Sequence, residues 1–245
     1  MGEGNVEVYR ERILREAEKQ AEEDARPIHI LGAGLSGLAA ATILARAGRD
    51  VHVHEIREDS GARFDGDFQG IENWTSGVDF FDEMRDWGLN PSEFKSDVFD
   101  VIDLVHPDDV VTQPRTDGVA FRIVQRGTEE HTIDQGLKRM AIDAGAQIHY
   151  SSRREPEDCH IVAAGPRESS AVAFGEIFHT DHPNHVTFQL NDKLAPGAYS
   201  YLIIIDGIGL ICTCLWRQQR KSSRYLNETI AWYEQHYDLN RRSIK

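Results

Sequence analysis

The stretch of sequence that decides the fold is Ile28-His29-Ile30-Leu31-Gly32-Ala33-Gly34-Leu35-Ser36-Gly37. It joins a short apolar strand to a glycine-rich turn, and an alanine-rich helix follows as far as Ala47. Gly48 is suited to end that helix in a left-handed conformation, and a second strand then runs from Val51 to Glu55. A strand, a helix and a strand within about 28 residues predict a βαβ unit with parallel strands.

The turn has the form Gly-x-Gly-x-x-Gly, and an acidic residue, Glu55, follows 23 positions after Gly32. The first glycine permits the tight turn, the second lets a pyrophosphate approach the backbone, and the third lets the helix pack closely on the strand. The helix N-terminus offers amide donors to phosphates, whereas Glu55 accepts hydrogen bonds from a ribose diol and repels a 2′-phosphate. An adenosine diphosphate with a free ribose is therefore the predicted ligand, and the spacing leaves NAD and FAD both open. The residues expected to bind it are Gly32, Ala33, Gly34, Leu35, Ser36, Gly37, Glu55 and Ile56.

Size and composition indicate a large folded core. The chain has 245 residues, of which 40% are hydrophobic and 28% charged. A chain of this size buries roughly 70 to 75% of its unfolded surface, in one large domain or two interleaved ones. No run of about 18 apolar residues offers a membrane span, and the N-terminus shows no secretory signal, so we expect a cytoplasmic protein. Cys159, Cys212 and Cys214 are expected to be free thiols.

The net charge of −14 argues against a nucleic-acid partner, because an acidic surface repels the phosphate backbone. One acid-free basic cluster stands out, and we interpret it as the solvated start of a helix, with a phosphate or anionic-lipid site as the alternative. The cluster comprises Arg217, Arg220, Lys221 and Arg224.

The patterns along the rest of the chain predict an α/β fold, in which a doubly wound, Rossmann-like parallel sheet is interrupted by an antiparallel, β-rich substrate domain. Residues 60–73 read as a long loop, and residues 78–87 as a helix. Thr132-Ile133-Asp134-Gln135 has the form of a capping box and opens a further helix. The predicted divisions are an N-terminal helix (1–26), a dinucleotide-binding domain (27–97 and 125–170), an antiparallel substrate domain (98–124 and 171–220) and a C-terminal helix (221–245).

Four passages carry a resemblance to a known family. The stretch from Glu55 to Arg63 resembles the extension that follows the ribose-binding acid in flavoproteins of the glutathione reductase type. The apolar run that ends at Gly165 resembles a late strand of the same proteins. Arg126-Gly127, followed by a helix and a strand, resembles a passage of their geranylgeranyl reductase and aromatic hydroxylase branch. Together with the passage at residues 68–74, the arrangement looks most like a geranylgeranyl reductase-like FAD-dependent oxidoreductase. The resemblance covers residues 28–216.

The resemblance implies an enzyme with FAD as its cofactor and NAD(P)H as a candidate reductant. Hydride would pass between the flavin and a small apolar substrate such as an isoprenoid, and a membrane surface would be contacted peripherally at most. Three residues join the expected cofactor-binding set, namely Arg63, Arg126 and Gly165, although Arg63 has a plain surface arginine as its alternative. No catalytic residue and no metal ligand is assigned.

One departure from the family is expected to matter. The Gly-Asp or Gly-Glu passage that normally completes the cofactor site has no match after Tyr225. We therefore expect an unfinished pocket, with three explanations open: a truncated member of the family, a split protein that a second chain completes, or a relative that has lost tight flavin binding. The alternatives are a dinucleotide-binding module without redox activity of its own and, third, an NAD-linked dehydrogenase.

Three weaker groups of residues have competing interpretations. The segment from His179 to His185 holds three imidazoles and a carboxylate, which suits either a metal site or a turn between strands. His52 and His54 share one strand face and read as satisfied strand histidines rather than ligands. Aromatic side chains between residues 74 and 94 suit a substrate tunnel, although core packing explains them better; they are Trp74, Phe80, Phe81, Trp87 and Phe94.

Overall fold

The structure is a computed structural model that describes residues 15, 25–73, 75, 77–115, 118–165 and 169–244. The N-terminal helix predicted for residues 1–26 falls almost entirely outside these residues, as does Trp74. In chain order the elements are β1 (Ile28–Leu31), α1 (Leu35–Arg46), β2 (Val51–His54), β3 (Phe68–Glu72), α2 (Phe80–Asp86), β4 (Ser96–Phe99), β5 (Asp103–Val105), β6 (Val111–Thr112), β7 (Phe121–Gln125), α3 (Ile133–Asp143), β8 (Gln147–His149), β9 (Ile161–Val162), β10 (Val172–His179), β11 (His185–Gln189), β12 (Ser200–Ile205), β13 (Ile208–Leu215), α4 (Ser222–His236) and β14 (Arg242–Ser243).

A four-stranded parallel sheet is built around the predicted βαβ unit, with the strand order β8-β2-β1-β9. Alternate residues of β1 and β2, such as Ile30 and Val53, are fully buried under α1 and α3. Thr132 caps α3 by accepting a hydrogen bond from the backbone of Gln135, as the capping box predicts. The core under these helices therefore fixes the carboxyl end of the sheet, where the glycine turn lies.

Two further sheets form the remainder, one mixed, because β5 pairs with β11 in parallel, and one fully antiparallel. A seven-stranded sheet has the order β14-β10-β13-β12-β11-β5-β6, and a three-stranded sheet has the order β3-β7-β4. Asp206 and Gly207 connect β12 to β13 with positive φ angles of 50° and 81°, which suits a two-residue hairpin turn. One core lies between the two sheets, and α4 packs on the other face of the larger one.

The predicted fold class is confirmed, with two local differences. Residues 60–73 are not one long loop, because β3 forms there by pairing with β7. Residues 98–105, at the start of the predicted antiparallel substrate domain, are divided between two sheets, since β4 pairs with β7 and β5 pairs with β11. β3 and β4 both pair with β7, and β5 pairs with β11, so each of these short strands depends on a partner distant in the chain. The three cysteines are free, as expected.

Within the described residues, no helix combines the length and the apolar character needed to cross a bilayer.

Candidate functional site

A cavity of about 490 Å³ opens at the carboxyl ends of β1, β2 and β9. This is the edge of a parallel sheet at which α/β proteins bind their ligands. Ten of the eleven residues predicted to bind the cofactor line it, namely Gly32, Ala33, Gly34, Leu35, Ser36, Glu55, Ile56, Arg63, Arg126 and Gly165. The eleventh, Gly37, lies outside the lining and packs against the turn.

The three glycines of the turn have different surroundings. A Cβ atom at Gly32 would lie 2.5 Å from the carbonyl oxygen of Ala163, and one at Gly37 would lie 2.0 Å from the carbonyl oxygen of Gly32. Both positions therefore require glycine for packing. A Cβ atom at Gly34 would meet no atom within 4 Å. The absence of a side chain at Gly34 keeps open a space that a phosphate group would fit.

The N-terminus of α1 faces this space without competition from the protein. Gly34 is its N-cap, no side chain caps the helix, and its first turn contains no acidic residue. The first amide groups of a helix lack intrahelical acceptors and carry the positive end of the helix dipole. The turn therefore offers an anion site made of backbone alone.

Glu55 is held at the end of β2 by the backbone on both sides of the cavity. One carboxylate oxygen accepts a hydrogen bond of 2.9 Å from the Ala33 N–H, and the other accepts one of 2.9 Å from the Arg57 N–H. Each oxygen keeps a lone pair free to accept another hydrogen bond. The carboxylate is thus already oriented beside the glycine turn, as the binding of a ribose diol requires.

Arg126 and Asp134 form a buried ion pair in the cavity wall. The guanidinium Nε and Nη2 donate to the two oxygens of Asp134 at 2.8 and 2.9 Å, and the Gly127 N–H donates to the same carboxylate at 3.1 Å. The guanidinium also lies 4.0 Å from the ring centre of Phe64. Asp134 is completely buried. This bidentate geometry fixes Arg126 in place, and its side chain supports the cavity wall.

The loop after β2 packs directly on this ion pair. Gly61 has a φ of +79°, and a Cβ atom there would lie 2.2 Å from the carbonyl oxygen of Gly127. Arg63, two residues later, lines the cavity and makes no ion pair with a described carboxylate. Its guanidinium therefore remains available to an anionic group.

Asp59 adds a charged side chain to the cavity wall. Burial raises the pKa of its carboxyl group, but hydrogen bonds from Lys138 and from the Ser60 N–H outweigh burial and hold that pKa below its usual value. The Lys138 ammonium lies 2.6 Å from the carboxylate. Asp59 is thus ionised and locally neutralised, so it does not prevent the approach of phosphates.

A second, larger cavity of about 810 Å³ lies between the seven-stranded and the three-stranded sheet. Its walls are mainly apolar and include Ile102, Leu104, Ala120, Phe121, Phe188, Tyr199, Tyr201, Ile203 and Cys214, with Gln69 and Glu72 as polar members. Burial raises the pKa values of Tyr199 and Tyr201, so both phenols stay protonated at neutral pH and can donate a hydrogen bond.

One hydrogen bond joins the two cavities. Gln69 lines the apolar cavity, and its side-chain oxygen accepts a 2.9 Å hydrogen bond from Nη1 of Arg126, which lines the cavity at the glycine turn. The two cavities therefore share a wall at this contact.

Sequence reasoning missed several members of both cavities. Asp134 was identified only as part of a capping box, although its burial beside Arg126 makes it part of the site.

The aromatic residues between 74 and 94 do not line the apolar cavity where they are described. Phe81 and Phe94 are core residues with their rings 5.7 Å apart, and Trp87 is half exposed at the end of α2. Core packing was the better interpretation.

Five histidines gather beside the parallel sheet, on β1, β2, β8 and just before β9. Neighbouring rings have centres 5.0 to 6.0 Å apart, and two pairs are in hydrogen-bonding contact, at 2.9 and 3.1 Å. Within the described part of the chain, no group of three or more side chains could hold a metal ion. We define this histidine cluster as His29, His52, His54, His149 and His160.

The cluster predicts a loss of stability in acid. Burial lowers the pKa of His54 from 6.5 to about 4, and the charge of Arg154 contributes. The unfolded chain takes up a proton as pH falls below 6.5, whereas folded His54 stays neutral until about pH 4. The contribution of neutral His54 to the free energy of unfolding is therefore complete above pH 6.5 and is lost as the pH falls toward 4. We expect about 2 kcal/mol of unfolding free energy to be lost between about pH 7 and about pH 5.

Urea denaturation at both pH values tests this expectation. The His54→Gln variant should show a flatter dependence on pH, whereas His106→Gln, in the exposed turn between β5 and β6, should keep that of the parent. An equally steep dependence in His54→Gln would show that other groups cause the acid sensitivity.

Comparisons with known proteins agree with this geometry. Residues 30–77 match the family described as NAD(P)-binding Rossmann-like domain. Hydroxysqualene dehydroxylase of Rhodopseudomonas palustris is 56% identical over 39 residues, which cover 16% of this chain and 9% of that protein. The family match covers the βαβ unit and the residues that follow it as far as residue 77.

Solved structures resemble a much larger part of the chain. A geranylgeranyl bacteriochlorophyll reductase-like protein of Thermoplasma acidophilum superposes with a TM-score of 0.64 and 17% identity, covering 91% of this chain and 65% of that one. A 2-methyl-3-hydroxypyridine-5-carboxylic acid oxygenase gives a TM-score of 0.57 at 15% identity, covering 86% and 66%. The chain thus spans slightly under two thirds of the length of these proteins. The predicted relationship is confirmed at the level of the fold: the chain shares its fold with a geranylgeranyl bacteriochlorophyll reductase-like protein and with an oxygenase, and it contains a Rossmann-like βαβ unit.

Proposed function

We propose that this chain belongs to an FAD-dependent oxidoreductase of the geranylgeranyl reductase-like group that acts on an apolar substrate. The observation that carries the proposal is the contact between Arg126 and Gln69, which joins the cavity at the glycine turn to a large apolar one. A dinucleotide cofactor needs a polar site for its adenosine end and an adjoining site where its reactive end meets the substrate. The fold and the arrangement of the two cavities supply both.

The residues in the nucleotide cavity fit FAD. The open space at Gly34 and the uncapped N-terminus of α1 suit the pyrophosphate, while Glu55 is oriented for the ribose diol. Arg63 supplies a free guanidinium for a further anionic oxygen. The eleven residues predicted from the sequence are thus proposed as the cofactor-binding set, joined by Asp134, which positions Arg126.

Bound FAD supplies hydride transfer to or from the substrate. Phe121 and Phe188 stack with their ring centres 5.0 Å apart and give the larger cavity a flat apolar wall. The protonated phenols of Tyr199 and Tyr201 can orient a polar group of the substrate, and the apolar walls exclude water. An isoprenoid substrate, and NAD(P)H as the source of electrons for a reduction, belong to the same proposal. A second chain that completes the cofactor site stays a prediction.

Titration of the protein with FAD tests the assignment. We expect bound flavin to show its absorption band at about 450 nm, shifted from that of free FAD. Parallel titrations with NAD and with ADP-ribose distinguish the alternatives. Tighter binding of NAD than of FAD would favour a dehydrogenase, and binding of ADP-ribose with no effect on flavin absorption would favour a module without redox activity.

The contact with the ribose is tested at Glu55. We expect Glu55→Ala to weaken FAD binding by about 1 to 3 kcal/mol, because the ribose hydroxyls lose their acceptor. Discrimination against a 2′-phosphorylated adenosine should relax as well, since the repelling charge is gone. Glu58→Ala is the matched control, because Glu58 lies in the same loop but does not line the cavity. Full affinity and full discrimination in Glu55→Ala would disprove its role.

A further inference from the structure

An exposed apolar surface lies at one end of the seven-stranded sheet. Leu190 follows β11, Tyr199 precedes β12, and Trp216 follows β13, so all three lie at the same end of neighbouring antiparallel strands. Their exposed fractions are 41%, 41% and 65%. Large apolar side chains exposed together mark an interaction site more often than scattered ones do.

This surface is also the rim of the larger cavity. Leu190 and Tyr199 belong to the cavity lining. The Cys214 N–H donates a hydrogen bond to the carbonyl of Tyr199, which joins the end of β13 to this rim. Trp216 follows β13 and lies close to the turn before Tyr199, because a Cβ atom built on Gly197 would be 3.4 Å from the Cβ of Trp216. Trp216 therefore lies beside the same rim. The apolar cavity therefore borders an apolar surface at this end of the sheet.

Basic residues continue directly from this rim. Arg217, Arg220 and Lys221 are exposed, and the Arg217 N–H donates to the carbonyl of Pro196 in the turn that leads to Tyr199. Arg217 has one acidic neighbour, Asp192, at 3.4 Å, and both side chains are about 70% exposed. Such an exposed pair is weak. A local excess of positive charge thus lies beside exposed aromatic residues in a chain whose net charge is −14.

We propose that this face docks on the surface of an anionic lipid bilayer; we call it the entry face, made of Leu190, Tyr199, Trp216, Arg217, Arg220 and Lys221. Tryptophan and tyrosine favour the boundary between lipid headgroups and acyl chains, and basic residues are attracted to anionic headgroups. A symmetric contact with a second copy fits less well, because it would bring the same positive charges together. That an apolar substrate enters from the bilayer through this face rests on the proposed function; the docking itself does not.

Vesicle flotation without cofactor or substrate tests the docking. The protein should float with vesicles that contain phosphatidylglycerol and much less with pure phosphatidylcholine, and high salt should release it. We expect Arg220→Glu/Lys221→Glu to reduce the apparent affinity by about tenfold or more, and Trp216→Ser to reduce it severalfold. The matched controls, Arg85→Glu/Arg153→Glu and Trp87→Ser, alter exposed residues outside the entry face and should bind as the parent does.

Fluorescence gives a second readout. Brominated lipids in the vesicles should quench tryptophan emission of the parent, and Trp216→Phe should lose most of this quenching while keeping its fold. Binding that is equal for neutral and anionic vesicles, or unchanged in the double charge variant, would overturn the proposal. Concentration-dependent self-association that Trp216→Ser abolishes would assign the face to a second copy instead and overturn it too. A failed FAD titration leaves this result unaffected, so the two proposals fail separately.

Discussion

Replacing Gly34 by valine is expected to abolish FAD binding while the protein stays folded. A side chain at Gly34 meets no protein atom within 4 Å, and the residue has an extended backbone with a φ of −83°. Valine therefore fits the folded chain without strain. Its methyl groups would occupy the space at the α1 N-terminus that the pyrophosphate needs, so affinity should fall by about a hundredfold or more, roughly 3 kcal/mol.

Flavin absorption titration together with circular dichroism measures both effects. Gly77→Val is a matched control, because a Cβ atom there also meets no atom within 4 Å and Gly77 does not line the cavity. Gly37→Ala should behave in the opposite way and disturb folding itself. Its added Cβ atom would lie 2.0 Å from the carbonyl oxygen of Gly32. Unchanged FAD affinity in folded Gly34→Val would mean that the glycine turn serves the fold alone.

Removing the carboxylate of Asp134 is expected to cause the largest loss of stability. In Asp134→Ala the buried guanidinium of Arg126 keeps its charge but loses two hydrogen bonds, and the Gly127 N–H loses its acceptor. Leaving one member of a buried ion pair without its partner costs about 3 to 5 kcal/mol of unfolding free energy. FAD affinity should also fall, because the loop at Gly61 packs on this same contact.

Urea denaturation of three variants separates the ion pair from other effects. Arg126→Met/Asp134→Ala should be more stable than Asp134→Ala alone, because the uncompensated charge is removed. Glu228→Ala breaks the exposed pair with Arg224 at 2.8 Å on α4 and should cost well under about 1 kcal/mol. A cost for Asp134→Ala no greater than that for Glu228→Ala would contradict a structural role for the buried pair.

The nucleotide cavity was predictable to a large extent because its main parts lie close together in the chain. The turn at Gly32 to Gly37 and the acid at Glu55 belong to one βαβ unit, whose spacing determines where they meet. Residues outside that unit were inferred from a family resemblance, and the structure shows that Arg126 lines the same cavity.

The apolar cavity was not predictable from local pattern. Its wall combines Gln69 of β3, Phe121 of β7, Phe188 of β11 and Tyr201 of β12, which come from two sheets and are far apart in sequence. The sequence instead drew attention to aromatic residues near Phe81, of which the structure places Phe81 and Phe94 in the core under the helices. Aromatic residues at helical spacing give the same sequence pattern whether they line a substrate tunnel or pack in a core.

The sequence by itself determined the βαβ unit, the glycine turn, the capped start of α3 and the antiparallel hairpins, because these depend on neighbouring residues and on hydrogen bonds of short range. Only the tertiary structure decided that Asp134 neutralises Arg126, that Gln69 joins the two cavities and that five histidines meet beside one sheet. These contacts depend on strand order and on the packing of distant segments. Spacing along the chain does not specify which distant side chains become neighbours.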